Sequence, residues 1–265
     1  MAVIDSHTHI GLESFLAEPI SAEKRKRPAF QDRMFNSIET LIGRMDANGI
    51  DAAVAFGFPL KEIDRNQAND YVLAAHRAYP KRIIPFALVG DDTEHWLKQG
   101  ALGFKQQNIL YEPERFDVIR AYRVMADAGV PMLIHFRAGE GYSVPDQAKS
   151  ILRQVPRLKL IVAHMGRNTP NTGARVEEAV MGLRDEPGVV FETSTVRDPA
   201  VIARVVEIVG MERVLFGSDY PFNSYQDADP LAEEIRVIER AGLSPEARAH
   251  VMELNIQHIT GWRLA

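Results

Sequence analysis

The chain alternates between short, almost continuously apolar runs and longer segments in which apolar residues recur every three or four positions. The first pattern is typical of buried parallel strands, and the second is typical of amphipathic helices. The apolar runs predict strands at 3–10, 50–58, 83–89, 101–106, 131–136, 158–164, 189–193 and 213–219. The segments between and after them predict helices at 38–48, 66–79, 93–99, 115–128, 144–154, 172–184, 199–209, 230–241 and 245–260.

Strictly alternating strands and helices predict an α/β protein whose parallel sheet is covered by helices, and the count of eight strands favours a (β/α)₈ TIM barrel. An open, doubly wound sheet would usually carry a Gly-rich phosphate loop after its first strand, and none is present there. No composition break or Pro/Ser-rich linker interrupts the alternation. We therefore expect a single domain over residues 1–265.

The connection from 11 to 37 is unusually long for a βα loop, and it contains the charged run Glu23-Lys24-Arg25-Lys26-Arg27-Pro28. Such a run is most often a solvated loop surface rather than a binding patch. Long loops in compact domains are commonly lids over a site. We expect this segment to be able to cover one end of the barrel.

Composition and charge exclude several classes of function. A chain with 46% hydrophobic and 25% charged residues is an ordinary globular protein, not a disordered one. Its net charge of −5 gives no general attraction to phosphate backbones, so nucleic acid is not an expected partner. The N-terminus resembles no signal peptide, and no apolar run reaches the roughly 18 residues of a membrane span, so we expect a cytoplasmic protein without membrane contact.

Polar side chains fall at the carboxyl ends of six predicted strands. In a β/α barrel this end carries the chemistry, because the βα loops form that face. The residues there are His7 and His9 on strand one, Lys105 on strand four, His135 on five, His164 on six, Glu192 on seven and Asp219 on eight. One such histidine is more typical of a satisfied core residue, but several in one layer favour a functional site. We assign no function to the remaining histidines, which lie in helical or surface-like segments: His76, His95, His250 and His258.

The absence of cysteine restricts any metal to His, Asp, Glu or modified Lys. His7 and His9 are two residues apart on a strand and so face the same side. With His135 and Asp219 they would give one divalent ion three nitrogens and one oxygen, a set suited most to Zn and also to Mn or Fe. Bound zinc lowers the pKa of its water to about 7, which makes a nucleophile at neutral pH.

His164 could then accept the proton of that water, polarise a substrate oxygen or bind a second ion, and we favour the general acid/base role. Asp219 could accept the same proton, so both are candidate catalytic residues. Lys105 invites another interpretation, because a carbamylated strand-four lysine can bridge two metals. Unmodified, it would bind a substrate oxygen or a neighbouring carboxylate, and we favour a single ion with this simpler role.

Five further residues are candidates for substrate binding beside Lys105. Arg137 and Arg167 follow His135 and His164 closely and could fork onto a substrate carboxylate, with surface ion pairing as the alternative. Tyr142 and Tyr220 lie just beyond strand ends and could wall an apolar substrate, as could Phe222, although packing between loops is the alternative for each. Glu140 and Glu192 are considered only as groups around the site that could orient the metal ligands through hydrogen bonds.

Four motifs in this order carry a family resemblance: His7-Thr8-His9 on strand one, Ile134-His135-Phe136-Arg137 on strand five, Val162-Ala163-His164-Met165-Gly166 on strand six and Phe216-Gly217-Ser218-Asp219-Tyr220-Pro221 on strand eight. By these the whole chain resembles the amidohydrolase superfamily. More narrowly it resembles the amidohydrolase-2 branch, which is related to aminocarboxymuconate semialdehyde decarboxylase. The positions matching the metal ligands are His7, His9, His135 and Asp219, and His164 matches the catalytic histidine.

This resemblance implies a metal-dependent enzyme but leaves its reaction open, since the branch contains lactone-type hydrolases and non-oxidative decarboxylases of aromatic or unsaturated acids. The chain is short for the decarboxylases, which favours a hydrolase of a small, anionic lactone, ester or amide. Strand four reads Gly103-Phe104-Lys105-Gln106-Gln107 and departs from the branch's usual lysine-to-histidine pattern, so the substrate stays open. The acidic balance and the strand-eight motif argue against a TatD-like nuclease. A non-enzymatic metal-binding barrel is a third alternative, and pairing into a homo-oligomer is compatible with the fold.

Overall fold

The computed structural model describes residues 1–30, 34–107, 117–137, 143–167, 173–222 and 229–264. Eight parallel strands form one sheet in sequential order: β1 Ile4–His9, β2 Ala52–Phe56, β3 Ile83–Leu88, β4 Gly103–Gln107, β5 Pro131–His135, β6 Lys159–Val162, β7 Val189–Glu192 and β8 Val214–Leu215. The residues after β8 return to β1 through a parallel bridge between Thr8 and Tyr220. The sheet thereby curls round on itself, and the predicted (β/α)₈ barrel is confirmed.

Helices surround the sheet. Those in the described residues are α1 Ala22–Arg25, α2 Ile38–Ala47, α3 Arg65–Ala78, α4 Thr93–Lys98, α5 Val118–Ala128, α6 Val144–Gln154, α7 Gly173–Leu183, α8 Pro199–Val209, α9 Pro230–Arg240, α10 Pro245–Ala249 and α11 Asn255–Thr260. Local chemistry sets several ends: Ser143 and Asp146 form a capping box at α6, and α5 ends at Gly129 with φ of 69°. No helix within the described residues is both long and apolar enough to cross a bilayer.

The barrel interior changes from apolar to polar along its strands. A buried cluster that includes Ile4, Val54, Ile84, Leu133, Ile161 and Leu215 fills the lower part. Side chains two residues apart on a strand face the same side. His135 therefore lies above Leu133 on β5, and Glu192 lies above Val190 on β7. The polar layer sits on this apolar plug at the carboxyl end of the barrel.

The last predicted strand is much shorter in the structure, because its second half leaves the sheet ladder. The Phe216 N–H donates to the carbonyl of Val251, 2.8 Å away, and the Ser218 N–H donates to Asp5 Oδ1 at 3.0 Å. The segment thereby turns inward and delivers Asp219 to the top of the barrel. The helix predicted over 245–260 is interrupted by a π-helical turn at His250–Leu254, which contains the Val251 carbonyl that bonds Phe216.

The long connection after β1 is partly structured and packs on the segment that follows β2. Phe15, Ile20 and Met34 of the connection share a buried cluster with Phe58 and Ile63. Its charged run is not wholly solvated: the Lys24 ammonium bonds the buried carboxylate of Glu62 at 2.8 Å. A lid function for this connection stays a prediction.

Candidate functional site

Left-handed backbone turns aim the polar residues at the ends of three neighbouring strands. Outside glycine, positive φ occurs among the described residues at His164 (55°), Met165 (51°), Thr195 (63°) and Asp219 (60°). Such conformations cost about 1–3 kcal/mol each, and they persist where the surroundings enforce them. All four follow β6, β7 or β8, so the strain is concentrated at the carboxyl end of the barrel.

His7, His9 and Asp219 come together at this end. Asp219 Oδ1 lies 3.1 Å from His7 Nε2 and 3.2 Å from His9 Nε2, and all three side chains are buried or nearly so. Their ligand atoms lie within 4.8 Å of one another, as the donor set of one metal ion requires. Asp219 is positioned for this by its backbone, since its N–H donates to the carbonyl of His7 at 2.9 Å.

The contacts of His9 indicate that the group formed by His7, His9 and Asp219 suits a cation. Its Nδ1 faces the carbonyl of Gly57 at 3.4 Å, and its Nε2 faces Asp219 Oδ1 at 3.2 Å; both partners are acceptors. A neutral imidazole has one N–H and satisfies only one of them. Burial lowers the pKa of His9 to about 4, so the doubly protonated ring is not the answer at neutral pH. A cation between His9 Nε2 and Asp219 Oδ1 would satisfy both contacts, and the residues therefore fit a divalent ion.

Glu192 is the hub that connects the two halves of the site. Its Oε2 accepts hydrogen bonds from His7 Nδ1 at 2.8 Å, from the Ser194 hydroxyl at 2.9 Å and from the His164 N–H at 3.1 Å. Its Oε1 accepts the backbone N–H of Ser194. Because the carboxylate fixes the His7 proton on Nδ1, it leaves Nε2 directed at Asp219. His7, His164 and Glu192 also form a group of metal-competent atoms, but hydrogen bonds already occupy Glu192.

The ring of His164 is oriented from behind by Ser194. His164 Nδ1 lies 2.7 Å from Ser194 Oγ and 3.2 Å from the Ser194 carbonyl, which can only accept. The proton is therefore assigned to Nδ1, and Nε2 carries the lone pair. That Nε2 lies 3.0 Å from Nδ1 of His135, so in this arrangement His135 is the donor.

His135 is placed next to His164 and not within the group formed by His7, His9 and Asp219. The four rings nevertheless form one continuous row: centroids are 5.4 Å apart for His9 and His7, 5.1 Å for His7 and His164, and 4.6 Å for His164 and His135. The assignment of His135 as the fourth ligand stays a prediction.

Electrostatics keep most of these rings neutral. Burial lowers the pKa of both His135 and His164 well below the usual range, with nearby cations adding to the effect. Burial and Lys105 also oppose protonation of His7, but the Glu192 and Asp219 carboxylates outweigh them and raise its pKa. A neutral His135 that donates from Nδ1 keeps a lone pair on Nε2 for a metal. The lone pair on Nε2 of neutral His164 accepts that hydrogen bond, and it is the atom that could take up a proton.

Lys105 is buried beside this row. Its Nζ lies 3.1 Å from His7 Nε2 and 5.0 Å from the centroid of the Phe56 ring. Burial lowers the pKa of Lys105 to about 7, although Asp219 and Glu192 raise it. The amine is thus partly uncharged near neutral pH, and it is close enough to contact a ligand bound at His7.

The other predicted substrate-binding residues are distributed differently. Arg137 is half-buried at the end of β5, and burial and then the cations of Arg27 and Arg167 lower its pKa. Tyr220 is buried in a cluster that includes Ile38 and Met45 of α2, and its hydroxyl interacts with Arg44 of the same helix. Those are packing contacts on the outside of the sheet, so a substrate role for Tyr220 stays a prediction. Tyr142 and Glu140 lie outside the described residues.

Aromatic rings enclose the His9 side of the site. The Phe58 ring stacks on His9 with centroids 5.4 Å apart, and the Phe56 and Phe222 rings contact it edge-on at 4.6 and 4.7 Å. Phe30, from the connection after β1, contacts Phe222 at 6.0 Å. This side of the site is therefore apolar, and the connection after β1 contributes to it.

Several contributors were missed by the sequence reasoning. Ser194 and Thr195 carried no signal, since neither stands in a metal or nucleophile pattern. Asp5 was also overlooked, although an acid within an apolar strand is a signal: its Oδ1 accepts the N–H groups of His7 and Ser218, both at 3.0 Å. Burial raises the pKa of Asp5 to about 7. Asp5 thereby ties β1 to the loop that carries Asp219.

Comparison with known proteins identifies the family and supports the fold. A family model described as Amidohydrolase matches residues 4–259. The fold is similar to that of 5-carboxyvanillate decarboxylase from Sphingomonas paucimobilis, with a TM-score of 0.73, 17% identity and coverage of 98% of this chain and 99% of that one. It is also similar to a probable 2-pyrone-4,6-dicarboxylic acid hydrolase from Acinetobacter baumannii, with a TM-score of 0.74, 15% identity and coverage of 99% and 100%. For an Amidohydrolase 2 protein from Bifidobacterium longum subsp. infantis the values are 0.72, 21%, 98% and 98%.

Proposed function

Because the chain belongs to the amidohydrolase family, whose members are metal-dependent enzymes, we propose that it hydrolyses a small anionic lactone, ester or amide with the help of one divalent ion, most readily zinc. The observation that carries the proposal is the pair of acceptors around His9, which a cation would satisfy. His7, His9, His135 and Asp219 would hold the ion. Bound there, it would lower the pKa of water and polarise a substrate oxygen.

The chain's own residues account for the proton transfers in this proposal. His164 is neutral, its Nδ1 proton is committed to Ser194, and its Nε2 can accept a proton from water and return it to the leaving group. Asp219 stays ionised: burial raises its pKa, but the interactions with His7, His164 and His9 together outweigh burial and hold the pKa well below the usual range. Asp219 is the alternative acceptor of the same proton.

An anionic substrate is supported by the arginines. Burial lowers the pKa of Arg137, and the nearby charges of Arg27 and Arg167 lower it further. A bound carboxylate would relieve the repulsion between these arginines. Among the described residues, no group bonds the buried Nε of Arg137. Together with the aromatic side of the site, this favours a planar or apolar acid as the substrate, held by Arg137 and Arg167 and contacted by Lys105.

The alternative is a decarboxylase that uses the same residues, with the arginines holding the carboxylate. It is favoured by the similarity to 5-carboxyvanillate decarboxylase and to 2,6-dihydroxybenzoate decarboxylase, although at 17% and 16% identity these show only the fold. Release of CO₂ from aromatic or unsaturated acids, against ring opening or acid release from lactones, esters and amides, separates the two reactions.

The test begins with protein purified without chelators. Elemental analysis should find about one divalent ion per chain, with zinc ahead of manganese and iron. His135→Ala should lower both metal affinity and kcat/KM by at least about a hundredfold. His258→Ala, which alters an exposed histidine on α11, is the matched control and should change neither. Protein without metal, together with full activity in His135→Ala, would falsify the proposal.

Two finer assignments accompany the proposed function. We infer a cytoplasmic protein with neither nucleic acid nor membrane as a partner, and the predicted homo-oligomer remains compatible with the fold. Light scattering at several concentrations measures the oligomeric state. The count of ions in the elemental analysis also distinguishes one ion from a pair bridged by a carbamylated Lys105.

A further inference from the structure

A buried carboxylate on an outer helix has no part in the chemistry described so far. Glu234 lies on α9 and is only 2% exposed, with Leu231 and Ile238 of the same helix buried beside it. Its neighbour Glu233 is partly exposed and pairs with Arg236 one turn further on. Burying a carboxylate is costly unless its oxygens are engaged, so the partners of Glu234 are informative.

Both oxygens of Glu234 bond the segment that follows β7. Its Oε2 accepts the backbone N–H of Thr195 at 3.2 Å, and its Oε1 accepts Arg197 Nε at 3.1 Å. The carboxylate thus clamps residues 195 to 197 against α9, next to the candidate site.

The residue whose N–H is held is a strained one. Thr195 has φ of 63°, and a β-branched residue is disfavoured in the left-handed region. A conformation of this kind persists only when surrounding contacts enforce it. The bond from Glu234 is one such contact, and it comes from outside the strand that carries the turn.

The turn at Thr195 sets the position of Ser194, which orients His164. The carbonyl and hydroxyl of Ser194 both engage His164 Nδ1, at 3.2 and 2.7 Å, and the Thr195 hydroxyl lies 3.4 Å from the same nitrogen. If the peptide between Ser194 and Thr195 rotated, the carbonyl that fixes the Nδ1 proton would move away.

We propose that Glu234 is a positioning residue for His164, which it serves by clamping the Thr195 turn so that Ser194 holds the His164 ring in the Nδ1–H tautomer. The consequence for catalysis rests on the proposed function, because it takes His164 as the acid/base. The consequence for the tautomer does not, because it concerns the hydrogen bonds of the ring alone.

The test compares three variants of the zinc-loaded protein. Glu234→Ala removes the acceptor for Thr195. Glu234→Gln keeps an amide oxygen that can accept the same N–H, so it should behave as a conservative rescue. Glu233→Gln changes the neighbouring, partly exposed carboxylate and is the matched control.

Two readouts are taken from each variant. Long-range ¹H–¹⁵N spectra of protein labelled at histidine report which His164 nitrogen is protonated, with His164→Gln used for assignment. Wild type, Glu234→Gln and Glu233→Gln should show the Nδ1–H tautomer, whereas Glu234→Ala should show averaged shifts from two tautomers. In Glu234→Ala kcat should fall about tenfold, while KM changes less than about twofold, since an acid/base contribution is worth about 10²–10⁴.

Unchanged His164 shifts in Glu234→Ala would overturn the proposal. If the shifts average but no substrate is hydrolysed even by wild type, the positioning role stands and the proposed function fails. Should Glu234→Ala fold poorly, Arg197→Met removes the other contact of the clamp at a residue that is partly exposed. The His164 chemical shifts of Arg197→Met should move in the same direction as those of Glu234→Ala, but by less. Unchanged His164 shifts in Arg197→Met would also refute the clamp.

Discussion

At the scale of single residues, Gly217 shows how tightly the hub around Glu192 is packed. A Cβ at position 217 would lie 2.8 Å from the carboxyl carbon of Glu192 and 2.9 Å from the Cβ of His7. Real Cβ contacts are essentially never shorter than 3.0 Å, so any side chain here would displace one of the two. The absence of a side chain at 217 is therefore a requirement of the His7–Glu192 hydrogen bond.

We accordingly predict that Gly217→Ala weakens metal binding. Displacement of Glu192 would break the hydrogen bond that keeps the His7 proton on Nδ1. Loss of such an orienting partner typically lowers metal affinity by about 10–100-fold. The overpacking should also cost about 1–3 kcal/mol of unfolding free energy. Competition with a chelating dye gives the affinity, and urea unfolding gives the stability.

Gly43→Ala is the matched control for this substitution. Gly43 lies inside α2, and a Cβ there would meet nothing within 4 Å. Its replacement should stabilise the protein by up to about 1 kcal/mol and leave the metal affinity unchanged. Equal metal affinity in Gly217→Ala and wild type would show that Glu192 does not orient His7.

Residue types at strand ends were enough to predict which side chains meet, but not how they are held. His7, His9, His164 and Asp219 could be found because they close apolar runs of a parallel barrel. Glu192 was recognised only as an outer group, although it bonds two of the predicted histidines. The bonds that join His164 to Glu192 and to Ser194 span 28 and 30 positions of the chain, and bonds between residues so far apart leave no local sequence pattern.

At the scale of elements, a largely buried ion pair adds to the apolar packing that holds the connection after β1 against the segment that follows β2. Lys24 on α1 bonds Glu62, and their side chains are 14% and 3% exposed. The same ammonium lies 5.1 Å from the centroid of the Phe30 ring, which in turn contacts Phe222 beside His9. The pair therefore links the charged run of the connection to the aromatic side of the site.

Glu62→Gln should loosen this connection without altering any trypsin site in the charged run. Breaking a buried ion pair typically costs about 3–5 kcal/mol, and each 1.4 kcal/mol lost from local stability would raise cleavage by about tenfold. Limited trypsin digestion should show faster cutting after Lys24, Arg25 or Lys26. KM should rise too, because Phe30 would no longer support Phe222.

The control for this prediction is Glu23→Gln, which breaks the exposed pair between Glu23 and Lys26. Exposed pairs contribute little, so both digestion rate and KM should stay near wild type. If Glu62→Gln is cut no faster than Glu23→Gln, the ion pair does not hold the connection.

Strand and helix order could be predicted from periodicity, but the ends of the elements could not. Predicted strands six and eight were too long, since the chain turns at His164 and Asp219 into left-handed conformations. Apolar residues continue past both turns, and a local pattern cannot distinguish a strand from an equally buried turn. The lost strand residues are those that deliver the site, so the errors fall where tertiary contacts override propensity.

At the scale of the whole molecule, the buried carboxyl groups link stability to pH. Burial raises the pKa of Glu234 to about 8 from a usual 4.5, with Arg197 opposing the shift. Its folded form therefore holds a proton that the unfolded chain releases near pH 4.5. This proton contributes fully to the unfolding free energy below about pH 4.5, and its contribution is lost as the pH rises through 8.

Glu234→Gln cannot lose this proton, so the difference between wild type and variant isolates it. The unfolding free energy of wild type relative to Glu234→Gln should fall between pH 5 and pH 8, by at most roughly 1.4 kcal/mol per pH unit. Asp5, whose pKa burial raises to about 7, titrates in the same window but is present in both proteins and cancels. Chemical denaturation at pH 5, 6, 7 and 8 measures the difference. Glu233→Gln keeps Glu234 and is the control: its unfolding free energy should fall with pH in parallel with that of wild type. A flat difference for Glu234→Gln would mean that Glu234 is ionised in the folded protein throughout this range, and that the Arg197 guanidinium outweighs its burial.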